Sequence, residues 1–321
     1  MTIGLLAQLG PCVPLKDTSE YDPMKPDSAA LTQVAVWRGG RALYILYDGE
    51  YAYVSVLNRK VHILDISVPE DPISVGEVEL TNVPVGLAKV GNYLFVANGH
   101  KGLVSVDISD PSIPEEVGVA DTPDSAIMVA VQGKYAYVAD GDSGLRIIDI
   151  SDPSNPVEVS FYDTKGFTRD VFVKGRYAYL ADGPEGLVIL DISNPRSPKF
   201  VSKIKLRDFA NAVVVVGNTA YVGIGKAGLQ LVDVSNPHEP VAKDRFVGPG
   251  ATLGIKLQGN YLTLGAARGG VRVLDLAQKC EVARYVPPRW TRDYVFDALL
   301  VGKYVFAASR SGVIVYKYIG L

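Results

Sequence analysis

Six times, at a spacing of 42 residues, the chain repeats one pattern: a glycine, an aromatic-rich run, a turn, and an aliphatic run ending in aspartate. The glycines are Gly49, Gly91, Gly133, Gly175, Gly217 and Gly259, and a seventh copy starts one residue late at Gly302. The aspartates Asp65, Asp107, Asp149, Asp191, Asp233 and Asp275 keep the same step. A unit this short must stack on its neighbours to bury its faces, and a period of about 40–45 residues predicts a propeller blade. The 321 residues are therefore expected to form one toroidal domain. Stacked repeats escape the limit near about 250–300 residues at which single cores stop growing.

The copy at 170–206 shows how a unit is built. A short apolar run (170–173) meets the tight turn Lys174-Gly175, and RYAYLA (176–181) alternates between two faces. A turn cluster (182–186) leads into the buried-type strand LVILDI (187–192), then a Pro-rich loop (193–198) and a more polar strand (199–206). Short β-rich runs separated by Gly, Pro and Asx turns make an antiparallel meander, and helical periodicity is absent. The predicted fold is all-β: a seven-bladed β-propeller of four-stranded antiparallel blades. Innermost strands number seven and outermost strands six, so the last blade lacks its outer strand. Residues 31–37 (LTQVAVW) are the spare strand-like run and are expected to close the ring. Residues 1–30 are expected to be an extended lead-in and 31–321 the propeller domain.

Composition excludes several classes. A formal charge of −3 and pI near 5.7 lack the basic balance of a nucleic-acid binder. No run of 18 apolar residues exists, so no transmembrane segment is expected. Cys12 and Cys280 are too few for a disulfide scaffold. They either remain thiols or, in an oxidising compartment, pair and staple the N-terminal segment to the sixth blade. The first twelve residues lack a basic leader, which reads as cytoplasmic, and Pro11 spoils the lipoprotein-like Leu9-Gly10-Pro11-Cys12.

The repeated residues read as scaffold. The glycines suit two-residue hairpin turns needing positive φ, and the aspartates of Asp-Ile-Ser-x-Pro suit Asx-turns. The tyrosine pairs (Tyr51 and Tyr53, Tyr135 and Tyr137, Tyr177 and Tyr179) suit the wedge between blades. The run 187–191 (LVILD), with its variants LRIID (145–149), LQLVD (229–233) and VRVLD (271–275) and YAYVADG (135–141), resembles the LVIVD-repeat family of bacterial and archaeal propellers. That resemblance spans about residues 43–318. It implies a propeller, commonly secreted or at the cell surface, with a binding role and no agreed catalytic residues. The sixth copy departs from it, with Ala277-Gln278-Lys279-Cys280 in place of Ser-x-Pro.

Chemistry is expected where the repeat is broken, on the face carrying the loops between blades and between second and third strands. The segment 289–294 combines Arg289, Trp290, Arg292, Asp293 and Tyr294, groups that either recognise anions, sugars or peptides or pack the loop down. Arg169, Arg207, Arg268 and Arg310 fall on loops of the same face, near Asn211, with Asp163, Asp208 and Asp293 as carboxylates that would neutralise them. Counting back five from each turn glycine reaches an inner-strand position holding Gly86, Met128, Ala212 and Gly254 in some copies but Asp170 and Asp297 in two. Those two carboxylates are the catalytic candidates, sharing protons or acting as acid and base, unless channel water simply solvates them. Gly141-Asp142-Ser143-Gly144 reads as a turn, not a nucleophile motif. The histidines His62, His100 and His238 lie in separate copies, so neither a metal nor a cofactor is expected. The leading expectation is a non-catalytic scaffold presenting the channel mouth to an anionic protein, peptide or glycan. The alternative is a lyase, hydrolase or isomerase acting on a small anion there.

Overall fold

The computed structural model describes residues 13–14, 29–248, 250–288 and 293–318. It is a ring of seven four-stranded antiparallel blades, without helices among the described residues. Blades 1 to 5 (42–79, 87–120, 128–162, 170–204 and 210–246) are separate sheets whose strands pair in sequence order from channel to rim. Blade 6 (254–285) and blade 7 (295–318) are joined into one larger sheet by the strand Ala29–Trp37.

That strand closes the ring. It runs antiparallel to Gly312–Tyr318, with Leu31 opposite Tyr318 and Trp37 opposite Val313. It begins two residues before the expected 31, because Ala29 and Ala30 pair in parallel with Ala283 and Arg284 of blade 6. Val13–Pro14 adds a further antiparallel pair on that blade, opposite Glu281 and Cys280. Cys280 is disulfide-bonded, and Cys12, the chain's other cysteine, lies outside the described residues, as does most of the lead-in. At the junction of blades 7 and 1, Glu70 accepts from the Tyr304 hydroxyl and from Lys317 Nζ, the latter at 2.9 Å. These two donors hold its carboxyl down at about 2.

Two seams repeat around the ring. On the mouth side, the turn between second and third strands bonds backbone-to-backbone to the segment leading into the next blade: Gly99 with Ala126, Gly141 with Thr168, Gly183 with Ala210, Gly225 with Thr252 and Ala267 with Val295. The turn residue must be left-handed for this, with φ between 51° at Ala267 and 55° at Gly99, which explains glycine in four of the five. At the periphery, the bulge of the outer strand in blades 1 to 4 meets the proline carbonyl of the next blade's Asp-x-Ser-x-Pro loop. Ser160 Oγ donates to Pro195 O and Ser202 Oγ to Pro237 O. At the equivalent Gly118 a Cβ would lie 2.3 Å from Pro153 O. The aspartate of the motif shapes that loop, accepting the Ser67, Ser109, Ser151, Ser193 and Ser235 N–H at 2.8–3.0 Å. Asp275 does so even in the irregular copy, for Ala277 and Gln278.

Between the seams the core is apolar. The second tyrosine of each pair goes inward: Tyr53, Tyr137 and Tyr179 are buried against Leu87, Val171 and Val213 of the following blade. Each such side chain contributes about 1.5–3 kcal/mol by leaving water. The first tyrosine of each pair stays half-exposed.

Three outcomes follow, one each from the closing strand, the peripheral seam and a hairpin turn. Removal of residues 1–37 strips blade 7 of its outer strand and of buried Leu31, so the urea-unfolding free energy should fall by more than about 3 kcal/mol; an unchanged midpoint would mean the ring closes otherwise. Gly118→Ala should cost about 1–3 kcal/mol because backbone blocks its Cβ. Gly133, with φ +61° and open space around it, should lose about 1–2 kcal/mol as Ala but less as Asn, which tolerates that conformation.

Candidate functional site

Seven inner strands surround a channel cavity of about 530 Å³. Across the copies the position five before the turn glycine carries Tyr44, Gly86, Met128, Asp170, Ala212, Gly254 and Asp297. Two residues further on, the same side of the strands carries mostly apolar groups, but Lys256 in blade 6. Strand periodicity therefore brings the charged groups of three blades and Tyr44 to one cavity, and all four line it.

Asp297 and Lys256 form an ion pair, Oδ2 to Nζ at 3.3 Å, and the ammonium lies 3.1 Å from the centre of the Tyr44 ring. Asp297 Oδ2 also accepts the Ile45 N–H of blade 1 at 3.2 Å. Burial opposes the Lys256 charge, but the Asp297 carboxylate and Tyr44 hydroxyl outweigh it and hold its pKa above the ordinary value. Burial likewise raises Asp297, with Lys256 pulling the other way. Asp170 accepts from Val171 N and from Val213 N of the next blade, both at 2.8 Å. It has no ion-pair partner among the described residues. Burial, only partly offset by the Val213 N–H and the Lys256 charge, pushes its carboxyl up to about 6.

The rim above is different in character. Arg169, Arg207, Arg268 and Arg310 are exposed, and none forms an ion pair with another described residue. The carboxylates expected to neutralise them are engaged elsewhere. Asp163 pairs with Arg146 at 2.9 Å, and Asp208 accepts the Phe209 and Lys226 N–H at 2.8 and 3.0 Å. Asp293 accepts the Tyr294 N–H at 2.9 Å and the Ser311 hydroxyl. Arg169 lies over Phe167 at 5.2 Å, and Arg41 over Phe296 at 5.1 Å, with Tyr294 against Phe296 at 5.0 Å. Phe209, two residues after Arg207 in sequence, is 53% exposed. Asn211 lines the cavity and donates to Thr252 O at 3.3 Å. Trp290 and Arg292 lie outside the described residues.

Gly141-Asp142-Ser143-Gly144 is a turn, Asp140 N bonding to Gly144 O at 2.8 Å. Asp140 and Asp182 are buried latches: the former takes the Thr122 hydroxyl at 2.6 Å and the Asp124 N–H at 3.1 Å, the latter the Thr164 and Thr168 hydroxyls at 2.7 and 2.6 Å. No group of residues suited to a metal occurs among the described residues. Sequence reasoning did not single out Lys256, Tyr44 or Arg41. The count back from the turn glycine holds Tyr44 in the first copy, and carrying it two residues along the strand reaches Lys256.

A seven-bladed ring with an irregular channel mouth places the chain among the β-propellers, which as a class serve many unrelated functions. LVIVD repeats match at residues 39–79, 86–122, 124–164, 165–205 and 209–247, and the chain belongs to the LVIVD repeat family. No curated protein matches it. Among solved structures it is similar to the Cps50 (Swd1) beta-propeller domain of Myceliophteria thermophila, at 11% identity and TM-score 0.73, covering 90% of this chain and 100% of that one. It is also similar to the computationally designed Ika8 protein, at 10% identity and TM-score 0.63, covering 87% and 83% of the two chains. At such identities the likeness concerns the fold.

The raised Asp170 carboxyl has a consequence for stability. Below about pH 4 it is protonated in folded and unfolded chains alike. As pH rises to about 6, the unfolded chain releases this proton while the folded chain retains it, so stability falls through that window. The loss from Asp170 should be about 3 kcal/mol, complete above the window. Asp297, Asp140 and Asp182 are displaced in the same direction, so the comparison with Asp170→Asn isolates this residue. Urea unfolding of the variant should show a flatter dependence between about pH 4 and 6; an identical slope would mean Asp170 titrates normally.

Proposed function

We propose that this chain is a non-catalytic interaction scaffold whose channel-mouth face binds an acidic segment of a partner protein. The supporting observation is the set of exposed arginines at 169, 207, 268 and 310, none ion-paired with a described residue, on the face that also carries Phe167, Phe209 and Tyr294. A guanidinium presents a planar fork of donors suited to carboxylates, and neighbouring aromatic faces add area at low entropic cost. The opposite face, built of repeated Asp-Ile-Ser turns already satisfied internally, offers nothing comparable. Propellers commonly use one face to bind proteins, and the LVIVD repeats fit that use. A disulfide at Cys280 fits the oxidising setting of a secreted or surface protein.

Acid-base catalysis by Asp170 or Asp297 is the weaker reading. Asp170 has no second acid–base group within bonding distance among the described residues, and Asp297 is tied to Lys256. A charged Lys256 is also a poor nucleophile.

Poly-glutamate serves as a probe of the rim. It should bind the parent in a salt-sensitive manner. Combined Arg169→Ala, Arg207→Ala and Arg310→Ala should weaken it by about tenfold or more while leaving Tm unchanged, since exposed charges contribute little to folding. Equal binding by variant and parent, or none by the parent, would remove the rim as the binding face.

A further inference from the structure

The channel carries a carboxylate that the propeller does not need. Five of the seven equivalent positions hold Tyr44, Gly86, Met128, Ala212 and Gly254, none of them a carboxylate, and those blades join the ring all the same. Asp170 thus does more than receive the Val213 N–H. Two neutral hydrogen bonds leave a half-buried negative charge uncompensated, which is costly unless a cation meets it. Lys256 is committed to Asp297 and the Tyr44 ring. Arg169, next to Asp170 in sequence, also lines the cavity, but its guanidinium lies over Phe167 and forms no ion pair with Asp170.

A second observation lies on the same cavity wall. Asp297 is only 2% exposed, and its Oδ1 has no hydrogen-bond partner among the described residues. It rests against Gly254, where any Cβ would come within 2.7 Å. That oxygen is shut in by Gly254, so the carboxylate the cavity offers is Asp170, which has no ion-pair partner among the described residues. Its remaining lining is largely apolar, including Val85, Ile127, Met128, Val214 and Leu253. Its volume of about 530 Å³ falls within the range of about 300–1,000 Å³ usual for small-molecule sites.

We propose that the channel binds a small primary amine carried on an apolar body, with the ammonium held by Asp170 and the body against the aliphatic wall. This site is separate from the rim and does not depend on what the rim binds. The amine supplies the missing counter-charge, and each Asp170 oxygen, holding one backbone N–H, keeps a further lone pair for it. A carboxylate in the same place would face Asp170 with like charge, and a neutral alcohol would leave that charge unpaired.

Calorimetry of the full chain with 2-phenylethylamine, 3-phenylpropionate and 2-phenylethanol at neutral pH separates these chemistries. The amine should bind and the other two should not. Asp170→Asn, with Tm monitored, should weaken the amine by about tenfold or more, as loss of a charge-assisted bond does. The parent provides a measurement that needs no variant. Amine affinity should fall between about pH 7 and 5 as Asp170 takes up its proton, while Lys256 and Tyr44, both held above their ordinary values, keep theirs; Asp297, also raised by burial, contacts Lys256 rather than Asp170. Tighter binding of the carboxylate, equal binding of the alcohol, an affinity flat across that range, or no binding by any probe would each overturn the proposal.

Discussion

Backbone meeting backbone between neighbouring blades is the constraint on which the ring rests. The mouth-side seam bonds a left-handed turn residue of blades 2 to 6 to the segment leading into the next blade. The peripheral seam sets a small bulge residue, Gly118 or Ser160, against a proline carbonyl. Neither contact depends on a particular large side chain. Both depend on there being none, so glycine and serine recur at fixed steps. With the seams set, the distance between blades is set, and Tyr53, Tyr137 and Tyr179 fill the wedge that results.

A ring of this kind must also be shut. Identical blades leave two open edges, and the chain resolves this with a strand from its beginning. That strand also pairs with blade 6, so closure and the bond between the last two blades come from one segment. The departure of the sixth copy from the Ser-x-Pro motif falls beside it. Cys280 there pairs with the backbone at Pro14 and is disulfide-bonded, so the blade that lost the common loop gained a strap.

Repetition made the fold legible. The step of 42 residues placed all seven inner strands and the Asx-turn aspartates, because seam geometry demands the same residues each time. The surplus run at 31–37 announced the closing strand, but its parallel pairing with blade 6 carries no local pattern and stayed hidden. The site was legible only in part, for a related reason. Asp170 and Asp297 stood out as deviations at one counted position, whereas Lys256 sits at the next position on that side and Tyr44 passed as one more tyrosine. Their meeting depends on which blades face each other across a ring. Sequence spacing along a strand does not report that. The fate of Asp163 and Asp208 illustrates the same limit, since the loop carboxylates seemed placed to neutralise the arginines and are instead spent on Arg146 and on backbone N–H groups.

The two irregular regions have opposite electrical character within one mouth. The rim presents guanidinium groups in water, where a partner's carboxylates gain modest energy each and the sum over several arginines gives selectivity and capture rate. The channel below presents an uncompensated carboxylate at the edge of an apolar cavity, where a single charge pair is screened far less and matters more. On the two proposals made above, a long acidic segment is repelled by Asp170 as well as excluded by size and stays on the rim, while a small amine gains little from the arginines and passes them. One stack of blades would then hold two ligands of opposite sign without competition, and a charge of −3 over the whole chain would conceal both.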